Sequence, residues 1–465
     1  MTFELFDVLR CSCGNREFRL EGRVTGSNAP SMAVDRVLCQ EFCGFKQCRV
    51  SAETVNMDDC ANCRAQRVLE GSIICACGRQ WRVTRGVPSF AGRRLHAVSR
   101  ECFVVESDPR TDPRWEGFVS GHAGSTIYHS LGWLNALAVE YGQPARHLAC
   151  EDIEGRLVAV LPLFYTRGMP FTGGSRDAGR RLSSLPRTPL GGAISVQSEA
   201  TTALIRAAIS VCKEERGLHL QIKTEACDLA GMCADISRTD WRDSFVLALP
   251  RSSDELRFGN ATTRHRIKWA VNKAVKLGVE VRTGEDEHDL KSWYSLYLER
   301  MRFNAVPPRP YRFFSSLWKA FAPYGKIRLL LAEKQAGTAR RLLAGSILLM
   351  HGNTVTYAFT GARTSELALH PNDLIQWLAI HDACRAGFCR YDFGEVAEEH
   401  QQLAQFKSKW GAEPIPLYRY YWPEPKTNFT RKPLLGDSRR LVASSWRRLP
   451  LRLTATLGDW IYSRL

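Results

Sequence analysis

The order of predicted helices and strands in the first half of this chain is repeated in the second half. In each half an amphipathic helix precedes a hairpin and further strands, and another helix and strand follow. Trp133 and Trp293 occupy matching positions in the first helix of each half, and Gly155 and Gly337 occupy the matching hairpin turns. Two degenerate copies of one mixed α/β unit are the simplest explanation, so we predict an α/β (α+β) fold with two tandem lobes.

Composition divides the chain outside these two lobes. Nine of the sixteen cysteines lie at or before Cys77, which marks the amino-terminal segment as a separate module. A polar stretch punctuated by prolines follows it, as is typical of a linker. The residues after Pro425 carry nine Lys and Arg but only two Asp. We therefore predict a cysteine-rich module at 1–92, a linker at 93–119, lobes at 120–250 and 251–425, and a basic tail at 426–465.

The sequence contains no obvious targeting or membrane-spanning segment. The first ten residues, MTFELFDVLR, lack the long apolar run of a signal peptide. The longest apolar runs, which begin at Leu157 and Leu342, are shorter than the roughly 18 residues that cross a bilayer. We therefore expect a cytoplasmic protein in a reducing compartment. The net charge of +16 predicts a polyanionic partner, either nucleic acid or an anionic membrane surface, although surplus basic residues can serve solubility alone.

Cysteines in a reducing compartment indicate metal binding or core packing rather than disulfides. A CxxC pair and a CxC pair face each other across a predicted hairpin and would supply four thiolates for tetrahedral zinc. These residues are Cys60, Cys63, Cys75 and Cys77. A second set would come from Cys11, Cys13, Cys39 and Cys43. The layout resembles a small zinc ribbon, so we predict one or two structural zinc ions; the alternative is a group of scattered buried thiols.

The stretch YDFGEVAEEHQQLAQFKSKWG, residues 391–411, contains a DFG triplet. In a protein kinase this triplet works only with a Gly-rich loop, a strand lysine and an HRD catalytic loop, and this sequence lacks all three. The GxSxG, HExxH, Walker and GxGxxG motifs are also missing, so serine nucleophiles, zinc hydrolysis and nucleotide-fold cofactors have no support. The stretch therefore needs another explanation.

The DFG strand end, followed by a helix that carries FKSKWG, resembles the closing motif of the Fem-type (FemAB-like) aminoacyltransferases of the GNAT superfamily. The basic stretch TTRHRIKWAVNKAVKLGVEV and the helix that begins at an Asn372 cap are similar to two further motifs of that family. The resemblance covers about residues 120–425 and is closest to the Fem-like proteins encoded with exopolysaccharide and exosortase systems. It implies two tandem GNAT-like mixed-sheet lobes, preceded here by a small zinc-ribbon module.

The resemblance implies transfer of an acyl or aminoacyl group onto an amine of a cell-envelope or polysaccharide precursor. Such a transfer passes through a tetrahedral oxyanion, which a fixed cation stabilises. The family assigns this role to the lysine at the position of Lys407, which Phe406 and Trp410 would orient beside the substrate. The alternative is a helix with a buried apolar stripe on which Lys407 and Lys409 are solvated surface lysines.

A general base for the attacking amine is expected among the carboxylates after the same strand. The candidates are Asp392, Glu395 and Glu398. Asp392 has the alternative role of capping the turn that follows its strand. We take Lys407 and Asp392 as the candidate catalytic residues. The resemblance also implies that Phe406, Trp410 and Asn372 bind substrate.

The donor stays open between aminoacyl-tRNA and acyl-CoA. GNAT enzymes that use coenzyme A place a glycine-containing R/QxxGxG/A loop before the central helix, whereas this chain has ARTSELALHPND, which argues against acetyl-CoA. A run of basic residues on a predicted helix could instead bind phosphates of tRNA or of a nucleotide- or lipid-linked acceptor. Its members are Arg264, Arg266, Lys268 and Lys273. The alternative is a solvated helix face.

The basic tail has apolar residues at every fourth position. These are Leu449, Leu453, Leu457, Ile461 and Leu465. The pattern suits a helix on an anionic membrane surface, which would place the protein at the inner face of the membrane. The alternative is docking onto the protein's own core or onto a second subunit.

Three functions are compatible with the sequence. The first is an envelope-directed N-acyl or aminoacyl transferase, whose turnover depends on Lys407. The second is an acetyl-CoA-dependent N-acetyltransferase of a small amine or amino sugar. The third is a non-catalytic zinc-ribbon adaptor in polysaccharide assembly, which predicts a folded protein without turnover.

Overall fold

The computed structural model of the chain describes the backbone of seven strands in the first 101 residues and whole residues thereafter. From residue 102 to 463 the gaps are 143, 168–179, 216, 227 and 426–435, and the side chains of 102 and 436–440 are outside the description. The chain forms two compact units. The first is Met1–Trp115, Arg146–Val160 and Ser195–Ala207; the second is Glu116–Ala145, Leu161–Ile194 and Ala208–Leu465.

The elements are numbered in chain order. The strands are β1 (Thr2–Glu4), β2 (Phe18–Thr25), β3 (Ser31–Cys39), β4 (Gln47–Cys48), β5 (Gly71–Ile74), β6 (Arg79–Thr84), β7 (Val87–Ala97), β8 (Cys102–Glu106), β9 (Leu148–Asp152), β10 (Leu157–Leu161), β11 (Phe164–Arg167), β12 (Arg180–Ser183), β13 (Ile194–Ser195), β14 (His219–Thr224), β15 (Ser237–Ala248), β16 (Val279–Thr283), β17 (Ile327–Ala336), β18 (Ala339–His351), β19 (Thr354–Ala362), β20 (Arg390–Val396) and β21 (Glu413–Trp422). The helices are α1 (Pro113–Gly121), α2 (Leu131–Tyr141), α3 (Ser198–Glu214), α4 (Leu229–Met232), α5 (Ala261–Lys276), α6 (Glu287–Phe303), α7 (Tyr311–Phe321), α8 (Pro371–Arg385), α9 (Gln401–Ser408), α10 (Gly436–Arg448) and α11 (Leu451–Tyr462).

The first unit contains a four-stranded sheet and a seven-stranded sheet. Their strand orders are β1-β2-β3-β4 and β13-β10-β9-β8-β7-β6-β5. β8 pairs antiparallel with β7 and β9, and its Val104 and Val105 are buried. The segment 93–119, for which we predicted a linker, therefore contains the end of β7, all of β8 and the start of α1. The short apolar run CFVV becomes a strand because β9 and β7 cover both of its edges.

The second unit is built on a ten-stranded mixed sheet. Its order is β11-β12-β14-β21-β15-β20-β19-β18-β17-β16. The pairs β12–β14 and β19–β20 are parallel, and the other neighbours are antiparallel. Strands from both predicted lobes join this one sheet, since β11, β12, β14 and β15 precede residue 251 and β16–β21 follow it. The predicted mixed α/β class is confirmed.

Helices α6 and α8 cover the half of this sheet that β16–β20 form. Ile375 and Ile380 of α8 share a hydrophobic cluster with Leu343 and Leu348 of β18. The approach of α6 requires a residue without a side chain on β19, because a Cβ at Gly361 would lie 2.5 Å from a backbone nitrogen of α6. Burial of these apolar side chains provides the main stabilising contribution to this half of the sheet.

The carboxy-terminal helix α11 docks onto the protein's own core, which was one of the alternatives for the tail. Tyr462 is 2% exposed, and its hydroxyl accepts a hydrogen bond of 2.6 Å from Arg187 Nη2. Gly458 allows close packing, because a Cβ there would lie 2.6 Å from the Pro308 carbonyl oxygen. Between residues 102 and 463, the gaps aside, no helix is long and apolar enough to cross a membrane.

The predicted zinc ligands lie outside the described side chains. Cys39 is the last residue of β3, where only the backbone is described. The other seven, Cys11, Cys13, Cys43, Cys60, Cys63, Cys75 and Cys77, lie outside the described residues altogether. The zinc sites therefore stay predictions.

Candidate active site

A cavity of about 600 Å³ opens in the second unit beside the ten-stranded sheet. Its walls come from the segment 120–129, from 190–194, from the end of β14 and from the adjoining ends of β19 and β20. Polar and ionisable side chains line much of it. Among them are Tyr128, His129, Lys223, His351, Arg390 and Asp392.

Two parallel strands of the sheet, β19 and β20, separate from each other beyond Asp392. β19 and β20 pair at Thr354–Arg390 and at Thr356–Asp392, and then the ladder stops although both strands continue. Beyond this point the facing backbone edges of β19 and β20 are not paired with each other. Asp392 therefore stands where the sheet divides.

One carboxylate oxygen of Asp392 accepts hydrogen bonds from the described residues, and the other does not. Its Oδ1 accepts hydrogen bonds from Ser244 Oγ at 2.9 Å and from the Gly394 amide at 2.7 Å. Its Oδ2 has no hydrogen-bond partner among the residues that the structure describes. Asp392 thus caps the turn, which was the alternative role, and it is also one of the residues that line the cavity.

Lys407 is buried rather than solvated. It is 5% exposed, and its Nζ donates hydrogen bonds to the carbonyl oxygens of Gly394 at 2.8 Å and Glu395 at 3.3 Å. Burial lowers the pKa of Lys407 to about 8, while the Asp392 and Glu395 carboxylates act in the opposite direction. An ammonium group has three donors, so one N–H is left without a partner among the described residues. The surface-lysine alternative is therefore wrong.

Gly394 connects the two candidate catalytic residues. Its amide donates to Asp392 and its carbonyl accepts from Lys407, so both side chains are positioned by one residue. Its φ is +77°, in the left-handed region that glycine adopts most readily. The glycine of the DFG triplet is thus explained by backbone conformation. Lys407 itself is not among the residues that line the 600 Å³ cavity.

The other two predicted base candidates are less suited to accept a proton. Glu395 receives hydrogen bonds from Arg242 Nη1 at 3.0 Å and from the Trp241 indole at 3.1 Å, so both of its oxygens are occupied. Glu398 lines a different cavity of about 210 Å³, together with Trp241 and Arg242. Asp392 is the one of the three that lines the larger cavity.

Most of the ionisable residues in the cavity wall, Lys223 and His129 among them, were not predicted from the sequence. Lys223 on β14 is 3% exposed, its Nζ donates to the Leu185 carbonyl oxygen at 2.6 Å, and burial lowers its pKa well below the usual value. Its position in the largely apolar strand LHLQIKT could have indicated a buried lysine. His129 has the Thr126 amide 3.2 Å from Nδ1 and the Gly192 carbonyl 2.9 Å from Nε2. Burial lowers the pKa of His129 to about 4, so its imidazole is neutral at neutral pH and has a structural role.

Tyr128 was also not found from the sequence. Its ring packs edge-on against Trp133, with centroids 4.8 Å apart. Burial raises the pKa of Tyr128, and the Asp392 and Glu395 carboxylates raise it further. Its hydroxyl, in the wall of the cavity, makes no hydrogen bond within the described part of the chain. It is therefore a neutral donor that a ligand could use.

The predicted phosphate-binding residues lie on α5 and not in the cavity wall. Arg266 and Lys268 are exposed, and Arg264 and Lys273 are half-buried. Trp269, which we did not predict, is 53% exposed between them, and Lys273 Nζ lies 4.8 Å from its ring centroid. The structure therefore brings these four side chains together on one helix, separately from Asp392.

The aromatic residues next to Lys407 differ in their surroundings. Trp410 is fully buried and packs edge-on against Phe258 with centroids 5.2 Å apart, so it belongs to the core and not to a substrate surface. Phe406 is partly buried at the edge of the same core, with Lys409 Nζ 4.4 Å from its ring centroid. The prediction that Trp410 contacts substrate is therefore wrong. The spacing of apolar residues in the sequence does not distinguish a helix face in the core from one that lines a channel.

The start of α8 also differs from the sequence prediction. Its N-cap is His370 and Pro371 is its first residue, so Asn372 lies within the first turn and not at the cap. Asp373, in the same turn, accepts a hydrogen bond and ion pair from Lys409. A carboxylate at this helix end disfavours a bound diphosphate, since both would compete for the same positive end of the helix dipole.

One group in the described part of the chain has metal-ligand atoms close together. It consists of Asp286, His288 and Asp289. Arg282 donates to both oxygens of Asp289 at 2.7 and 2.6 Å, which already neutralises that carboxylate. These contacts indicate an ion pair at the start of α6 and not a metal site.

Comparisons with known proteins find similarity in sequence and in fold. Residues 261–402 match the family of acetyltransferase (GNAT) domains. A region of 138 residues is 23% identical to UDP-N-acetylmuramoylpentapeptide-lysine N(6)-alanyltransferase of Weissella viridescens, and it covers 29% of this chain and 38% of that enzyme. The structure is similar to the crystal structure of FemX, with a TM-score of 0.52 and 17% identity over 66% of this chain and 95% of FemX. The C-terminal domain of a putative lysylphosphatidylglycerol synthetase from Agrobacterium fabrum has a TM-score of 0.46 at 9% identity, over 66% of this chain and 90% of that domain.

The domain match confirms the predicted GNAT-superfamily acyltransferase domain. The matched residues include Asp392 and end before Lys407. The sequence match spans 38% of the Weissella enzyme, well short of its full length. Residues 261–402 therefore match the acetyltransferase (GNAT) domain family, in a chain whose fold is similar to that of FemX.

Proposed function

We propose that this protein transfers an acyl or aminoacyl group onto a primary amine of a cell-envelope precursor at the inner face of the membrane. The observation that carries the proposal is the free Oδ2 of Asp392 in a cavity of about 600 Å³, within a GNAT-type domain. The cavity is large enough for a substrate arm that carries an amine.

Asp392 binds the acceptor amine and receives its proton. Ser244 and Gly394 hold Oδ1, so Oδ2 has a defined direction for a hydrogen bond to an ammonium or amine nitrogen. The amine nitrogen attacks the carbonyl carbon of the donor ester or thioester, and the proton that it loses passes to Asp392. The tetrahedral intermediate then expels the donor's alcohol or thiol, to which Asp392 returns the proton. One C–N bond forms and one C–O or C–S bond breaks.

Lys407 provides positive charge beside this reaction. With a pKa of about 8 it is mostly protonated at neutral pH, and two of its three N–H groups are held by backbone carbonyls. Lys407 is not among the residues that line the cavity, so the proposal requires its third N–H to reach the oxyanion, which develops on the donor carbonyl oxygen, from behind the cavity wall. A fixed donor of this kind contributes about 3 to 4 kcal/mol to the transition state when it acts in a site with little water.

The exposed face of α5 favours aminoacyl-tRNA as the donor. Arg266 and Lys268 provide positive charge, and Trp269 provides an exposed ring on which an unpaired base could stack. Two features argue against coenzyme A. The glycine loop that would bind its diphosphate is missing, and the Asp373 carboxylate at the start of α8 would repel that diphosphate.

Acyl-CoA is the second candidate donor, and one observation favours it. The backbone edges of β19 and β20 are not paired with each other beyond Thr356 and Asp392. An extended chain with amide groups, such as the pantetheine arm of coenzyme A, could pair with these edges as an added strand does.

The decisive assay offers the full-length protein alanyl-tRNA and acetyl-CoA in parallel. The acceptor is the lysine amine of UDP-N-acetylmuramoyl-pentapeptide, the substrate that the name of the Weissella enzyme specifies. Product mass identifies the transferred group. Asp392→Asn should lower turnover about a hundredfold or more with either donor, because the amide keeps the bonds of Oδ1 and removes the base.

Asp382→Asn is the matched control. Asp382 lies on α8 in the same domain, is 40% exposed, and pairs with surface arginines. Its variant should transfer at the wild-type rate. The adaptor hypothesis predicts no product with any donor, and an Asp392→Asn variant with full turnover would refute the assignment of the base.

A further inference from the structure

Helix α11 exposes its apolar face and buries its small and polar face. The buried residues, four apart, are Thr454, Gly458 and Tyr462. The exposed ones are Leu453, Leu457 and Trp460, with exposed fractions of 51%, 38% and 38%. At 100° per residue the two sets lie about 130° apart around the helix axis. Surface helices normally bury the apolar stripe, so the orientation of α11 requires an explanation.

The core prevents α11 from rolling to bury its leucines. Gly458 lies against Pro308, where a Cβ would meet the carbonyl oxygen at 2.6 Å. Tyr462 accepts its hydrogen bond from Arg187, and Asp459 forms an ion pair with Arg312. A rotation that buried Leu453 would break these contacts, so the outward direction of the leucines is built into the docking of the helix.

Exposed apolar residues also occur on two neighbouring helices. Leu441 and Val442 of α10 are 69% and 67% exposed, and Phe303 at the end of α6 is 50% exposed. Arg447 Nε donates to the Phe303 carbonyl oxygen at 2.9 Å, which holds α10 against α6. We call the exposed apolar residues of α6, α10 and α11 the tail surface: Phe303, Leu441, Val442, Leu453, Leu457 and Trp460.

Positive charge accompanies the tail surface. Arg448 and Arg452 are exposed at the junction of α10 and α11, and neither forms an ion pair with an acid in the described part of the chain. Arg300 lies with its guanidinium 5.4 Å from the Phe303 ring centroid. An exposed apolar stripe flanked by arginines is the chemistry of a helix that lies in the interface of an anionic bilayer.

We propose that the tail surface binds an anionic lipid bilayer, with Leu453 and Leu457 in the acyl region and Arg448 and Arg452 at the headgroups. A second copy of the chain is a poorer occupant, because a symmetric contact would bring the same arginines together. The surface is independent of the transferase chemistry, and its test does not require turnover.

Flotation of the full-length protein with vesicles tests the proposal. One vesicle contains phosphatidylcholine alone and the other contains added phosphatidylglycerol. The protein should bind the anionic vesicles at least tenfold more tightly. Leu453→Ser with Leu457→Ser should weaken this binding at least tenfold, because each leucine loses its transfer into the acyl region. Arg448→Gln with Arg452→Gln should weaken it about 25-fold, at about fivefold per charge.

Matched controls come from other surfaces of the same unit. Leu367 is 37% exposed and Arg385 is exposed on α8, so Leu367→Ser and Arg385→Gln should bind as the wild type does. Melting temperatures should be unchanged, since all these side chains face solvent. Wild-type binding by both double variants would overturn the proposal. A second result would also overturn it: a wild type that is a dimer in solution and does not bind vesicles, together with a leucine variant that is a monomer.

Discussion

The replacement Lys407→Met tests whether the buried ammonium acts in the reaction or only in the fold. Methionine keeps the aliphatic stem and removes the donor to the Gly394 and Glu395 carbonyls. If the third N–H meets the oxyanion, turnover should fall about a hundredfold or more, which corresponds to about 3 kcal/mol of transition-state stabilisation.

The expected change in stability is small, because two opposing effects nearly cancel. The pKa of Lys407 falls from 10.5 to about 8 on folding, so burial of its charge costs about 3 kcal/mol at neutral pH. Methionine removes that cost. It also leaves two carbonyl oxygens without their donor, at about 1 to 3 kcal/mol each. We expect the melting temperature to change by a few degrees at most.

The pH dependence provides a second readout. Because the folded pKa lies below the unfolded one, the unfolded chain binds more protons between pH 8 and 10.5, and wild-type stability gains a contribution as pH rises through that window. The Met variant should lack this contribution. Wild-type turnover should have a component that is lost above about pH 8, and Lys407→Arg, which stays charged, should lack that loss.

Two lysines provide controls. Lys409 pairs with Asp373 at the start of α8, so Lys409→Met should lower stability by about 1 kcal/mol and leave turnover per folded molecule unchanged. Lys276, exposed at the end of α5, should be silent when replaced by Met. Single-turnover rates of the wild type and the three lysine-to-methionine variants are compared, with the donor that the assay of alanyl-tRNA and acetyl-CoA identifies. Full turnover by Lys407→Met, or an equal loss in Lys409→Met, would refute the reasoning.

Three further predictions concern stability, metal and donor. Arg309→Met should destabilise the fold by about 3 to 5 kcal/mol in thermal or urea unfolding, because it leaves the fully buried Glu140 carboxylate without its partner, and an intact melting temperature would contradict this. The full-length protein should contain one or two zinc ions by elemental analysis, and Cys60→Ser with Cys63→Ser should remove one; a metal-free wild type would rule the site out. Lys268→Gln should weaken binding of charged tRNA and reduce the slope of its salt dependence by about one, with no effect on acyl-CoA; an unchanged slope would remove α5 from the RNA contact.

Some features of the site followed from adjacent residues alone. The triplet Asp392-Phe393-Gly394 and the helix with Lys407 were recognisable by their resemblance to a family motif, because a strand end and the helix that follows it are local patterns. The basic character of α5 was predictable for the same reason. The similarity of residues 261–402 to GNAT domains likewise depends on sequence alone.

Other features depended on which distant segments pack together. The sequence offered Asp392, Glu395 and Glu398 as bases and we chose Asp392, but only the contacts of Ser244 with Asp392 and of Arg242 with Glu395 give a physical reason for preferring Asp392 over Glu395. Trp410 was expected at the substrate and lies in the core, because Phe258, about 150 positions earlier, covers its ring.

The tail illustrates the same division. Its four-residue period, charge and helical character were all determined by the sequence, since each is a property of neighbouring residues. The tertiary structure decided which face turns inward. Gly458 packs against Pro308, Tyr462 and Asp459 accept hydrogen bonds from Arg187 and Arg312, and Leu453 stays exposed. Periodicity defines a stripe along a helix, but the free energy of docking depends on the shape and polar groups of the surface that receives it, and those come from residues far away in the chain.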